Sequence, residues 1–200
     1  MWFGRLLAIF IGLIVFIIIL VMLFGRGDGD KNNPSTNQVQ LQPLAEYAGT
    51  NATVSFTTDG IINADELHRA IRITVSNNQV TLDVLRGYNP QVIQSRTFQN
   101  NQEAYSVFLK AINNAGFLLK TKNKNIPADP AGQCPLGNRY ILNLNQDGVD
   151  LSNTWASTCG NKVGTSMGSI QTIRTLFQYQ VPGYNRLVGE VNLSATSPEL

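Results

Sequence analysis

An uninterrupted apolar run near the start of the chain is the strongest constraint on how this protein can fold. The run, LLAIFIGLIVFIIILVMLF, covers residues 6–24 and contains no charged side chain. As an α-helix, about 19 residues at about 1.5 Å each span roughly 28 Å, which matches the hydrocarbon core of a bilayer. A signal peptide has a shorter apolar region followed by a small-x-small cleavage site, and no such site follows this run. The sequence therefore predicts an uncleaved transmembrane anchor over residues 1–25.

The rest of the chain divides into a linker and one domain. Residues 26–46 are rich in Gly, Asn, Ser and Pro and predict a flexible stalk. The length of 200 residues leaves room for a single domain, which we assign to residues 47–190, followed by a C-terminal tail over residues 191–200. The formal net charge of +2 at pH 7 argues against a nucleic-acid partner. The expected partners are the lipid bilayer, through the N-terminal helix, and an envelope or secreted protein.

The clearest local pattern in the domain surrounds Asn77–Asn78. A two-residue turn there pairs residue 75 with 80, 73 with 82 and 71 with 84, which places all six apolar side chains on one face. The same register sets Arg72 opposite Asp83, an attractive cross-strand pair. The sequence therefore predicts an antiparallel hairpin.

Two further strands and two amphipathic helices are expected around this hairpin. The strands are predicted over Thr53–Thr57 and Gln91–Phe98. The first helix begins after Asn100 or Asn101, either of which can cap it, and ends at Gly116. The second helix is expected over Met167–Gln180. Helical spacing defines the apolar face of the first helix: Ala104, Phe108, Ala111, Ile112 and Ala115. Together these elements predict an α+β fold with an antiparallel sheet packed against two amphipathic helices.

The two cysteines of the chain, Cys134 and Cys159, flank a second predicted hairpin. Asp147–Gly148 is a strong turn signal, and pairing residue 146 with 149 sets 144 opposite 151, 142 opposite 153 and 140 opposite 155. The cysteines then lie just beyond the open end, on opposite strands. We predict that they form a disulfide, which would stabilise the fold by about 3.5 kcal/mol in the chain-entropy model.

Other roles for the cysteines fit the sequence less well. A C-x-x-C redox motif is absent, and two distant cysteines with the single histidine, His68, do not have zinc-site spacing. Two free buried cysteines in a cytosolic domain remain the alternative. A disulfide implies an oxidising compartment, so we expect the N-terminus in the cytoplasm and the domain outside the plasma membrane.

Candidate catalytic and metal sites are sparse. The segment Asn143–Thr154 partly resembles a calcium-binding loop, but it lacks the bidentate glutamate, and a hairpin turn is favoured there. His68 has Asp65 and Glu66 as sequence neighbours and could serve a hydrolase, although a surface histidine is the expected state. We therefore expect no catalytic residues, no metal site and no cofactor.

The long loop over residues 120–133 is the predicted partner surface. It carries three alternating lysines, Lys120, Lys122 and Lys124, followed by two prolines. Long loops on compact domains are often functional. The alternative is a solvated connector that leads to Cys134.

Two segments carry a resemblance to known proteins. CPLGNRYILNL, residues 134–144, and IQTIRTLFQYQVPGY, residues 170–184, resemble uncharacterised membrane-anchored envelope proteins of bacteria, including candidate-phylum lineages. The order of elements from Arg69 to about Phe177 is also similar to protease-inhibitor domains of the emfourin type. The predicted anchor, the predicted disulfide and the lack of a catalytic set indicate a binding or interaction domain held at the cell envelope. The second resemblance implies the alternative, an inhibitor of an extracellular protease.

Overall fold

The computed structural model describes residues 41–160 and 164–194. These residues belong to a compact unit that begins at Leu41. The predicted anchor and residues 26–40 of the predicted stalk lie outside the described residues. Among the residues that are described, no helix is long and apolar enough to cross a bilayer.

The described residues build one six-stranded antiparallel sheet in the order β4-β3-β2-β1-β5-β6. The central strand β1 pairs with β2 on one side and with β5 on the other, which joins the two predicted hairpins into one sheet. The predicted α+β class with antiparallel strands is confirmed. The strands are β1 (Ala52–Asp59), β2 (Arg69–Val75), β3 (Gln79–Arg86), β4 (Gln91–Gln99), β5 (Arg139–Gln146) and β6 (Val149–Ser157).

The first hairpin has the register that its alternating pattern predicts. Val75 lies opposite Val80, and the pairing continues without a shift through β2 and β3. Arg72 lies opposite Asp83, and the Arg72 Nη2 atom is 3.1 Å from Asp83 Oδ2. Turn chemistry and a period of two therefore suffice to fix this register.

The second hairpin departs from its predicted register. The turn at Asp147–Gly148 pairs Gln146 with Val149 as expected, but a bulge between Leu144 and Asn145 shifts the remaining pairs by one residue. Leu144 lies opposite Ser152, and Tyr140 lies opposite Ala156 instead of residue 155. A bulge adds one residue to one strand, so a regular alternation cannot predict the pairs beyond it.

Four short helical segments accompany the sheet within the described residues. A 3-10 helix over Leu44–Gly49 precedes β1. The helices are α1 (Gln102–Asn114), α2 (Ile170–Tyr179) and α3 (Tyr184–Val188). The Asn101 side chain caps α1 by accepting a hydrogen bond from the Ala104 amide at 2.9 Å. The second helix begins three residues later than predicted, because the Met167 amide pairs with the Leu119 carbonyl in an extended segment.

The main core lies between one face of the sheet and the helices α1 and α2. The α1 side chains that enter it are Tyr105, Phe108, Leu109 and Ile112. The predicted face was therefore displaced: Ala104 is exposed, and the larger side chains of residues 105 and 109 are buried instead. Burying a larger apolar side chain removes more surface from water, which explains the rotation.

Both ends of the described chain pack onto this core. Leu44, which the sequence assigned to the stalk, is fully buried. Val191 and Leu193, assigned to the tail, are partly buried against the core. The Ile61 amide also donates to the Leu193 carbonyl at 3.1 Å. Apolar residues outside the predicted domain limits thus contribute to its stability.

The opposite face of the sheet is covered by a connection without regular structure. Trp155 in β6 is fully buried there, although the helices pack on the other side. Its indole N–H donates to the Pro127 carbonyl at 2.8 Å. The loop between α1 and β5 therefore folds back over this face. It leaves a cleft over the strands β1, β2, β3 and β5.

Candidate functional site

The cleft has a volume of about 410 Å³ and lies on the sheet face that the helices leave uncovered. Its walls come from the β3–β4 turn on one side and from residues 129–132 of the long loop on the other. Asp59, His68 and Arg139 also line it. The strands β1, β2, β3 and β5 supply its floor: Thr57, Ala70, Arg72, Leu85 and Ile141.

A second depression, of about 710 Å³, follows the turn between α2 and α3. All of its lining residues belong to one stretch, residues 175–186, and its charged residue, Arg186, is exposed. The cleft of about 410 Å³ described first, which we call the opposite-face cleft, is instead lined by six separate segments of the chain and contains buried charged groups. Binding sites combine an apolar enclosure with a few convergent polar groups, so the opposite-face cleft is the stronger candidate.

The turn that carries Tyr88 is fixed by its neighbours. Gly87 has φ +78°, and a Cβ there would lie 3.0 Å from Asp65 Oδ1, so glycine suits this position. The Tyr88 amide donates to the same Asp65 oxygen at 2.7 Å. The Tyr88 hydroxyl donates to the Asn63 carbonyl at 2.9 Å and accepts from the Asn63 amide at 3.0 Å. Tyr88 therefore presents a pre-positioned ring that is about half exposed.

His68 lies directly beneath this ring. The two rings stack with centroids 4.2 Å apart and an interplanar angle of 14°. His68 is only 3% exposed, so the expectation of a surface histidine is wrong. The β1–β2 connection and the Tyr88 turn enclose it together, which no local pattern around residue 68 could show.

Both nitrogens of His68 are engaged. Nδ1 is 3.1 Å from the Ile61 carbonyl oxygen, and Nε2 is 2.8 Å from Asp59 Oδ1. The carboxylate that orients the ring is therefore Asp59, whereas the sequence suggested Asp65 and Glu66. A general base needs a nitrogen directed at the hydroxyl or thiol that it deprotonates, and neither nitrogen has that freedom here.

Arg139 completes the charged cluster at the end of the cleft. Its Nε and Nη2 atoms lie 2.7 and 2.6 Å from Asp59 Oδ2. The guanidinium also donates to the carbonyls of Gly60 and Gln133. Arg139 is 2% exposed, so a buried cation ties the end of β1 to the loop that forms one wall. The Asp59–Arg139 pair thus shapes the cleft and has little capacity left for a ligand.

The cysteine pair secures the same wall at its C-terminal end. Cys134 and Cys159 have sulfur atoms 2.00 Å apart and Cα atoms 5.5 Å apart, which is disulfide distance. The shift of register in the second hairpin does not separate them, because both residues lie beyond the open end of β5 and β6. The Arg139 guanidinium reaches towards the Cys134 carbonyl as well, at 3.5 Å. The Cys134–Cys159 pair and the Asp59–Arg139 ion pair therefore hold this wall together.

The predicted lysine surface lies apart from the cleft lining. Lys120 pairs with Ser166 in a short antiparallel bridge, and Lys122 and Lys124 follow in the loop. All three lysines are exposed. The part of this loop that lines the cleft is residues 129–132 instead. The loop is therefore more than a solvated connector, whereas the role of the lysines stays a prediction.

Arg72 is the charged group in the cleft with hydrogen-bonding capacity left over. Among the described residues its guanidinium contacts one acceptor, Asp83, which also accepts from the Ser95 hydroxyl at 2.7 Å. A guanidinium has five N–H groups, so most remain available. The Arg72 side chain is 36% exposed and lines the cleft. The sequence identified this arginine only as half of a cross-strand pair.

The calcium-like segment Asn143–Thr154 forms the β5–β6 hairpin. Asp147 and Gly148 have φ +51° and +83°, as a tight hairpin turn requires. The Asn145 amide donates to Asp150 at 2.8 Å and, with a smaller contribution from Asn143, lowers the pKa of Asp150. In the described part of the chain no group of three or more acidic, histidine or cysteine side chains is placed to bind a metal.

Comparison with known proteins gives no assignment. No protein-family model matches the chain, and no curated protein matches it either.

Proposed function

We propose that this protein is a single-pass, membrane-anchored binding domain that faces outside the cell and binds its ligand in the opposite-face cleft. The observation that carries the proposal is a cleft with fixed walls and unused binding capacity. The walls are held by contacts among Asp59, His68 and Arg139. The cleft interior is still lined by Arg72 and Tyr88, which can contact a ligand. A pre-formed enclosure of this kind loses little conformational entropy when a ligand binds.

Two features support the extracytoplasmic location. The apolar run over residues 6–24 has the length of a membrane span, and Cys134 and Cys159 lie at disulfide distance. Disulfides persist in oxidising compartments and are rare in the cytosol. The proposal therefore places the folded unit on the outer side of the plasma membrane.

Thiol labelling tests this location. Intact cells and purified, denatured protein are treated with a membrane-impermeant maleimide, with and without prior reduction. The proposal expects Cys134 and Cys159 to react only after reduction, in both samples. If the cysteines of the denatured protein react without reductant, they do not form a disulfide. The main support for a domain outside the cell is then lost.

Site-specific photo-cross-linking tests the binding role of the cleft. A photoreactive amino acid replaces Ala131 on the exposed cleft rim, and in a matched variant it replaces Val107, which is 67% exposed on α1. We expect an adduct with a cellular component from position 131 and none from position 107. Identical adduct patterns from the two positions would contradict a specific site in the cleft.

Protease inhibition is a second candidate, and one exposed residue favours it. Leu136 is 88% exposed at a turn in which the Gly137 amide donates to the Cys134 carbonyl. An apolar side chain on a turn held by a cysteine pair is a suitable anchor for a partner protein. A panel of secreted proteases tests this idea, with Leu136→Asp compared against Leu119→Asp on another exposed leucine. Unchanged activity of every protease would exclude inhibition.

The hydrolase hypothesis has less support. It depends on His68 as a base, and both nitrogens of that ring are engaged by Ile61 and Asp59. Retention of any hydrolytic activity in a His68→Ala variant would exclude this role.

A further inference from the structure

We propose that the ligand of the opposite-face cleft is a small apolar molecule with a single carboxylate, which binds to Arg72. This inference rests on the proposed binding role of the cleft and assigns its chemical class. It follows from which groups in the cleft are already paired and which still have capacity.

The charged groups of the cleft differ in what they can still bind. Asp59 is shared between His68 and Arg139, and both of its oxygens are occupied. The Asp129 carboxylate accepts a hydrogen bond from the Ala131 amide at 2.9 Å. Arg72 gives one N–H to Asp83 and is therefore the donor that a ligand can use. A planar guanidinium binds a carboxylate through two parallel hydrogen bonds, which is a strong and directional contact.

Most of the remaining lining is apolar. The Tyr88 ring forms one side and is held in place by its own hydroxyl and amide contacts. Ala70, Leu85 and Ile141 supply the floor, and Pro90 and Pro130 contribute to the two walls. A ligand that buries an aliphatic or aromatic body here is stabilised by roughly 25 cal/mol for each Å² of apolar surface removed from water.

The acidic side chains limit the charge of the ligand. Asp59 and Asp129 both line the cleft, and Asp83 lies against Arg72. A phosphate or a dicarboxylate would bring two or more negative charges close to these groups, which like-charge repulsion disfavours. A single carboxylate can accept hydrogen bonds from the remaining N–H groups of Arg72 and adds only one negative charge, so a monoanion fits the site better than a polyanion.

Two sources share this chemistry: the C-terminal carboxylate of a short apolar peptide, and a free aliphatic or aromatic acid. A cleft of about 410 Å³ lies within the range that small-molecule sites occupy. The experiment uses N-acetyl-Leu-Phe for the first source and octanoate for the second. N-acetyl-Leu-Phe-amide and octylamine serve as matched probes without the carboxylate.

Binding of the four probes is measured by isothermal titration calorimetry on the full-length chain in lipid nanodiscs. We expect an acid to bind at least tenfold more tightly than its uncharged or cationic counterpart. Arg72→Gln should remove that difference, and Arg72→Lys should retain part of it. Arg96→Gln is the matched control, because Arg96 is exposed on strand β4 and does not line the cleft.

The outcomes separate this inference from the proposed function. The carboxylate assignment is wrong if acid and amide bind equally, or if Arg72→Gln still prefers the acid. In either case the proposal that the cleft binds a ligand still stands. Absence of binding by every probe also overturns it, and the cross-linking from position 131 then decides independently whether the cleft binds anything. Tighter binding of the peptide acid or of octanoate identifies the source.

Discussion

Asp59 and Arg139 lie opposite each other on β1 and β5, and their side chains form a buried cross-strand ion pair with contacts of 2.6 and 2.7 Å. The two residues are 80 positions apart in the chain. Through Asp59 the pair reaches His68, and through Arg139 it reaches the loop that ends at Cys134. This contact therefore connects both sides of the cleft to the centre of the sheet.

Replacement of Asp59 should be strongly destabilising. In Asp59→Asn, Arg139 stays buried without its counter-charge, and removal of one partner of a buried pair typically costs about 3–5 kcal/mol. Because the Asp59 side chain is 19% exposed, we expect the lower end, about 3 kcal/mol. Urea unfolding followed by circular dichroism measures the change.

The Arg72–Asp83 pair provides the control. The Arg72 side chain is 36% exposed, so Arg72→Gln should cost about 1 kcal/mol or less. If the two substitutions destabilise the protein equally, the central role assigned to the Asp59–Arg139 pair is wrong.

Removal of the cysteine pair should lower stability and loosen the cleft. The double variant Cys134→Ala/Cys159→Ala should lose about 3.5 kcal/mol of unfolding free energy, because the unfolded chain regains the freedom of the closed loop. Urea unfolding measures the loss. Reduced wild-type protein should match the variant, and an unchanged midpoint after reduction would show that no bond constrains the loop.

Stability should fall at alkaline pH because of Tyr105. Burial raises the pKa of the Tyr105 hydroxyl well above its usual range, and the hydroxyl donates to the Ala52 carbonyl at 2.9 Å. A raised folded-state pKa means that the stabilisation is complete below the unfolded pKa, about 10, and is lost as the pH rises above it. The slope for one proton is about 1.4 kcal/mol per pH unit.

The variant Tyr105→Phe isolates this effect from the other tyrosines and the lysines. Unfolding midpoints of both proteins are compared between pH 8 and pH 11. The difference between wild type and variant should shrink as the pH rises above 10. A difference that stays constant over this range would contradict the assignment to Tyr105.

Neutralising the three loop lysines should affect partner contact without affecting the fold. Lys120, Lys122 and Lys124 are exposed, so their replacement by Gln should change the unfolding free energy by no more than about 0.5 kcal/mol. If they contact a partner, cross-linking from the exposed position 123, which lies between them, should weaken, and more so at low salt, where exposed charges are least screened. Unchanged cross-links in the triple variant would remove the lysines from the partner surface.

Local patterns account for the parts of the fold that the sequence predicts well. The Asn77–Asn78 turn, the alternation on both sides and the Arg72–Asp83 pair all agree, and the structure has that register. The Asn101 cap is likewise a local arrangement and lies where it was expected. Each of these features is decided by residues close together in the chain.

Features that depend on distant residues were missed or displaced. The bulge at Leu144 shifted the second hairpin, and α1 turned to bury Tyr105 and Leu109 instead of its alanines. His68 was expected at the surface, whereas the Tyr88 turn and Asp59 enclose it. Sequence neighbours could not reveal this enclosure, because its parts come from the end of β1, the β1–β2 connection and the β3–β4 turn.

The sequence by itself determined the α+β class, the first hairpin and the proximity of Cys134 to Cys159, since turn chemistry and side-chain periodicity act over a few residues. Only the tertiary structure decided where the cleft lies and which charges are occupied. The pairing of β1 with β5 brings Asp59 to Arg139 across 80 positions, so both oxygens of Asp59 are occupied, whereas Arg72 on β2 contacts Asp83 and keeps hydrogen-bonding capacity. Long-range strand pairing depends on the packing of the whole sheet, and no local pattern encodes it.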